Sequence, residues 1–337
     1  MPPFEPSALL TAWTPAPFGM LLVAVVGGWY AWNVAVARRG GLRWPWWRVG
    51  LYACFGVGTL AYAVIGPLQV YRAHLFWIGA LQVGVLASLT PVGLALGDPI
   101  GLLRQRPGTR RPWIVRVLEG PAARVLMFPA LSSLLAVGTI LAVFFTPLFA
   151  ASIRSARVAD LLDVALVLTG LLFVLPLMVE ELLPAWATPA IRTGLAFLDG
   201  LLDAIPGILV MTASTLLAPG FPGFVGRVGS PSALLDQQLG GGALLAVAES
   251  IGLPVIGVVM LQWMRSDAVQ AREIDARLDA ELAARPVAPP GSPVDPSGDS
   301  LVVLPVAATE TSPETTGSGL WWENDPRLSG RIRHTPD

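Results

Sequence analysis

Four carboxylates lie inside apolar stretches of the chain: Asp163, Asp199, Asp203 and Glu249. A charged group at the centre of a membrane span costs roughly 3 kcal/mol on insertion scales, so such a position is functional by default. Asp199 and Asp203 stand four residues apart, which places both on one helix face. Turned inward together, these acids would form a cation or proton site. Taken singly, each would be hydrogen-bonded within helix packing. Glu249 is the strongest of the four, because Pro254, five residues on, should bend the same helix and open a polar pocket.

Other chemistries find few residues. The chain has two histidines and one cysteine. His74 is the one metal-ligand candidate in the membrane part, although a lone interfacial imidazole is ordinarily structural or solvated. Cys54 excludes an intramolecular disulfide and any CxxC metal motif. Met20, Met127, Met178, Met211, Met260 and Met264 are soft enough for Cu(I) but form no MxM or MxxM cluster, so packing accounts for them. No Ser-His-Asp set or phosphate-cradling loop can be assembled, and an enzyme is not expected.

These residues must be held by membrane helices. Of 337 residues, 54% are hydrophobic and 13% charged, about half the usual charged share of a soluble domain. The mean hydropathy is +0.63. A net charge of −1 gives no field for a nucleic-acid partner. The first residues, MPPFEPSALL, lack a basic segment, so no cleavable signal peptide is expected and the first apolar segment should stay as an anchor.

Seven spans are predicted, at 17–38, 48–67, 73–96, 122–148, 158–180, 190–217 and 241–264, each near the 20 residues or so that cross a bilayer. Arginines crowd alternate connections: Arg38, Arg39, Arg43 and Arg48, then Arg104 to Arg124, then Arg265 onward. The positive-inside rule therefore predicts an outer N-terminus and a cytoplasmic C-terminus, in a multi-pass protein of the plasma membrane. The fold class expected is an all-α seven-helix membrane bundle over 1–264. A cytoplasmic amphipathic helix at 265–285 should follow, with Ile274, Leu278 and Leu282 four apart. The remainder, 286–337, is rich in Pro, Ser, Thr and Gly and should be a disordered tail.

The segment DQQLGGG at 236–242, with Glu249, Pro254 and QWMRSD at 262–267, is more specific than a plain anchor. With WPWWR at 44–48, LFW at 75–77, PVGLALGDP at 91–99, FFTPLF at 144–149 and TGLLFVLPL at 169–177, it resembles the cytochrome c oxidase assembly factor family of the caa-oxidase type, over about 40–285. Asp236, Gln237, Gly240, Gly241 and Pro254 carry its best-matched motif. The resemblance implies an accessory factor of the respiratory chain, acting with haem–copper oxidase subunits in the lipid bilayer. It also implies a copper-chaperone-like delivery of copper, the one cofactor in question.

The family's intramembrane histidines are missing here. Its HMxQH run falls on Gly79, Ala80, Leu81, Gln82 and Val83, which keeps the glutamine alone. Its histidines in spans five and six fall on Asp163, Ala165 and Asp203. Direct copper binding is therefore not expected. The alternative function, of a different class, is a small-solute or ion permease that uses the acidic cluster for coupling.

Overall fold

The computed structural model describes residues 7–105, 113–118, 120–178, 189–225 and 231–284. Among these residues every regular element is helical. A one-turn helix, Ala8–Thr11, precedes α1, Pro17–Arg39. Next come α2, Trp46–Tyr71, and α3, Phe76–Gln105. Both are interrupted by a wider π-type stretch, Tyr52–Gly58 in α2 and Val85–Leu89 in α3. Two short helices, Trp113–Leu118 and Pro121–Leu126, lead to α4, Pro129–Phe145, and α5, Leu148–Arg154. The chain then forms α6, Ala156–Met178, α7, Pro189–Thr212, and α8, Ala233–Ala284.

Four of these helices, α1, α2, α3 and α6, are long and apolar enough to cross a membrane. The α4–α5 pair makes a fifth if it counts as one span, bent by 70°. The bend falls at Thr146–Pro147, where proline withdraws a backbone donor and the residue before it leaves the helical region. The fourth expected span, 122–148, is thus two helices rather than one, and it ends where α5 begins. The helix over the sixth expected span stops at Thr212, and its apolar part is the short Gly200–Thr212. The seventh expected span lies within α8, which continues as helix through the expected exit at 264. The tail at 286–337 lies outside the described residues.

Contacts divide the chain into two units, Met1–Leu278 and Asp279–Asp337, and only the last turns of α8 are described in the second. In the first unit α3 is the central element. Of its apolar window 78% is buried, against 22% for α1 and 33% for both α2 and α6. Its side chains Phe76, Ile78, Ala80, Val83 and Leu86 belong to the largest apolar core. Close helix crossings depend on glycine. A Cβ at Gly170 of α6 would run into the Ala87 carbonyl and the Pro91 ring of α3, whereas one at Gly138 of α4 would meet nothing within 4 Å. Gly170→Ala should therefore lower the melting temperature in mild detergent by several degrees, while Gly138→Ala leaves it within about 2 °C.

Candidate functional site

The DQQLGGG segment lies in the first turns of α8, where the side chains of Asp236 and Gln237 point into the protein while Gln238 and Leu239 are exposed. Asp236 is fully buried. Its carboxylate accepts the backbone N–H of Phe76 at 2.8 Å and that of Trp77 at 3.0 Å. These are the first two residues of α3, whose N–H groups have no partner within their own helix. Leu75, at the N-cap position, supplies no side-chain acceptor. An anion at this helix end satisfies two donors and also complements the positive end of the helix dipole.

Gln237, also fully buried, holds the connection between α7 and α8. Its Oε1 accepts from the Leu217 N–H at 2.6 Å, and its Nε2 donates to the Thr215 carbonyl at 3.0 Å. The glycines that follow divide by role. A Cβ at Gly240 would strike the Phe76 ring, and one at Gly241 would strike the Met211 backbone of α7. Gly242 has open space.

Phe76 lies beneath this motif and at the centre of an aromatic cluster. Ring centroids of Phe144, Phe149, Phe221 and Phe224 lie 5.4, 5.7, 5.8 and 5.4 Å from it. The motifs LFW, FFTPLF and DQQLGGG, far apart in sequence, thus meet at one place. The backbone of Ala218, with φ 51°, donates to the Phe144 carbonyl at 2.7 Å and ties the α7–α8 connection to the same cluster.

The second polar centre is built on Arg72, which the sequence places in a connecting loop but which is buried. Its guanidinium donates to Ser152 Oγ at 2.6 Å and to Gln69 Oε1 at 3.3 Å. It stands 3.7 Å from the Asp163 carboxylate of α6. Gln82, from the run expected to carry histidines, donates from its Nε2 to Gln69 Oε1 at 2.9 Å and to the Ala63 carbonyl at 2.8 Å. Arg72, Gln69 and Ser152 were missing from the sequence-based site, since the pairing of Arg72 with Asp163 spans 91 positions and leaves no local signal.

The four expected acids fall in different surroundings. Asp163 is buried and paired with Arg72 rather than grouped with other carboxylates. Asp203 is half-buried on α7, and Glu249, expected to face inward, is exposed on α8. The side chains of Asp199 and Pro254 lie outside the described residues, although the helix continues through Pro254. His74 is exposed in the turn before α3, with its backbone N–H donated to the Tyr71 carbonyl at 3.0 Å.

Copper chemistry does not fit these positions. Among the described residues no three of His, Cys, Asp and Glu converge in a way that could hold a metal ion. The expected ligand run holds Gly79 in place of an imidazole, and a Cβ there would collide with the Phe149 ring. The space in which a ligand side chain would begin is already filled by an aromatic core.

Two outcomes follow from this geometry. Asp236→Ala leaves two buried N–H groups without an acceptor, a loss of about 2–4 kcal/mol. Its melting temperature in detergent should fall by about 5–10 °C, with Asp236→Asn intermediate. Arg72→Met strands the buried Asp163 carboxylate and should cost a similar amount. The double variant Arg72→Met/Asp163→Leu should recover at least half of that loss, because both charges are then gone.

Comparison with known proteins bears on the same residues. An uncharacterized protein of Mycobacterium bovis is 27% identical over 262 residues, which are 75% of this chain and 40% of that protein. An uncharacterized protein of Mycobacterium leprae is 27% identical over 268 residues, 77% of this chain and 40% of its own. The chain therefore spans about two fifths of the length of these relatives. No solved structure matches. The model of the cytochrome c oxidase caa3 assembly factor family matches residues 28–266, from α1 through most of α8, and takes in the Asp236 cap, the phenylalanine cluster and the Arg72–Asp163 pair. The chain belongs to this family.

Proposed function

We propose that this chain is an accessory factor for assembly of a haem–copper cytochrome c oxidase in the plasma membrane, and that it acts through helix contacts rather than by carrying copper. The observation that supports this reading is the combination of a retained family scaffold with a closed ligand position. The Asp236 cap and the phenylalanine cluster are built from family motifs, while Phe149 fills the space at Gly79. In the same reading the arginine-rich connections face the cytoplasm and the DQQLGGG entry lies on the outer side. A protein without converging metal ligands among its described residues can still hold an oxidase subunit during maturation, since that task needs surface complementarity rather than coordination.

A permease that couples through an acidic cluster has less support. Such a site needs several acids sharing one cavity, whereas Asp163 is ion-paired with Arg72 and Glu249 is exposed. The reading is tested by deleting the gene and following oxidase assembly and activity at limiting and at excess copper. Loss of assembled oxidase at both copper levels is the expected result. Normal oxidase in the deletion strain would overturn the assembly role, and full rescue by copper alone would overturn the copper-independent form of it.

A further inference from the structure

A cleft of about 540 Å³ lies along the C-terminal part of α3, from Leu94 to Leu103, bounded mainly by α1, α2, α3 and α6. Its floor includes Tyr52 and Leu94, and every residue along its α1 and α6 walls is apolar apart from the indole of Trp29. Val25 of α1 and Leu168 of α6 stand at its mouth, 56% and 54% exposed. Both belong to helices long and apolar enough to cross a membrane, so the cleft opens sideways to lipid.

Its length and its ends narrow the occupant. The α6 wall runs from Val164 to Leu175, about 16 Å at 1.5 Å per residue, which matches the hydrocarbon depth of one leaflet. At one end the lining passes to Pro99 and Ile114, among the arginine-rich connections. Asp98, next to Pro99, is bound by Arg48, one turn before Tyr52, and the Arg48 guanidinium also lies 5.0 Å from the Trp44 ring centre. Exposed Trp46 and Trp47 immediately precede Arg48 in sequence, as interfacial anchors do. Arg48 is neutralised by Asp98, but Arg116 is exposed between the lining residues Ile114 and Leu118. The apolar slot, one leaflet long, therefore ends at a cation that is free among the described residues, and it is complementary to an acyl chain attached to an anionic headgroup.

We propose that this cleft is a binding site for one anionic glycerophospholipid, with an acyl chain seated between α1 and α6 and the phosphate near Arg116. The test is native mass spectrometry of the full chain in mild detergent, with phosphatidylglycerol or phosphatidylcholine added. The wild type should retain one phosphatidylglycerol and should retain phosphatidylcholine at least tenfold less. Leu168→Trp and Val25→Trp, both at exposed positions that leave the fold intact, should each reduce retention at least tenfold by filling the mouth. Arg116→Gln should remove the headgroup preference while an acyl chain is still retained. Absence of bound lipid, equal retention of both lipids by the wild type, or retention unaffected by either tryptophan would overturn the proposal, as would a second copy of the chain covering the cleft.

Discussion

The carboxylate of Asp236 on the first two amides of α3 is the interaction on which the rest of the membrane part depends. A helix that begins inside a protein presents unpaired N–H groups where water cannot reach them, and each such group costs about 1–3 kcal/mol if left unmet. Here the acceptor arrives from a residue 160 positions later in the chain. The start of the most buried helix and the start of the last described one are thereby fixed to each other. Gln237 then secures the connection before α8, and Gly240 lets α8 approach the Phe76 ring.

The same joint explains why scattered short motifs belong together. Phe76 is pinned by its backbone to Asp236 and by its ring to four other phenylalanines from the α4–α5 region and the α7–α8 connection. Aromatic rings at centroid distances of 5–6 Å gain from edge-to-face contact beyond simple burial. A cluster packed this tightly leaves no room for a ligand side chain at Gly79. The second polar centre, around Arg72, is held by hydrogen bonding among Arg72, Gln69, Gln82 and Ser152 and by the ion pair with Asp163. Such a network ties together the crossing of α2, α3, α5 and α6.

Much of this was legible in the sequence, and the limits have physical causes. Runs of apolar residues identified α1, α2, α3 and α6, because a span needs only length and hydropathy. The bend at Pro147 was missed because FFTPLF is apolar on both sides of the proline, and hydropathy carries no direction. The specificity of DQQLGGG was visible, but its role was not, since a capping acid far away in sequence reads like a loop residue. Asp163 was found as an intramembrane acid, yet its partner Arg72 falls between the expected spans 48–67 and 73–96, where nothing local marks it as buried. Glu249 drew attention by sitting in an apolar stretch. Which face of α8 it occupies depends on packing set by Gly240 and Gly241, and that face is exposed.

The central claim is that Asp236 serves as the helix cap of α3 rather than as a ligand or a proton carrier. Hydrogen–deuterium exchange of the purified chain, followed over the peptides covering 75–82 and 213–221, tests it most directly. Loss of protection at Phe76 and Trp77 in Asp236→Ala, spreading to the Gln237-bound connection while α1 stays protected, is the predicted result. Unchanged protection at those amides would contradict the account.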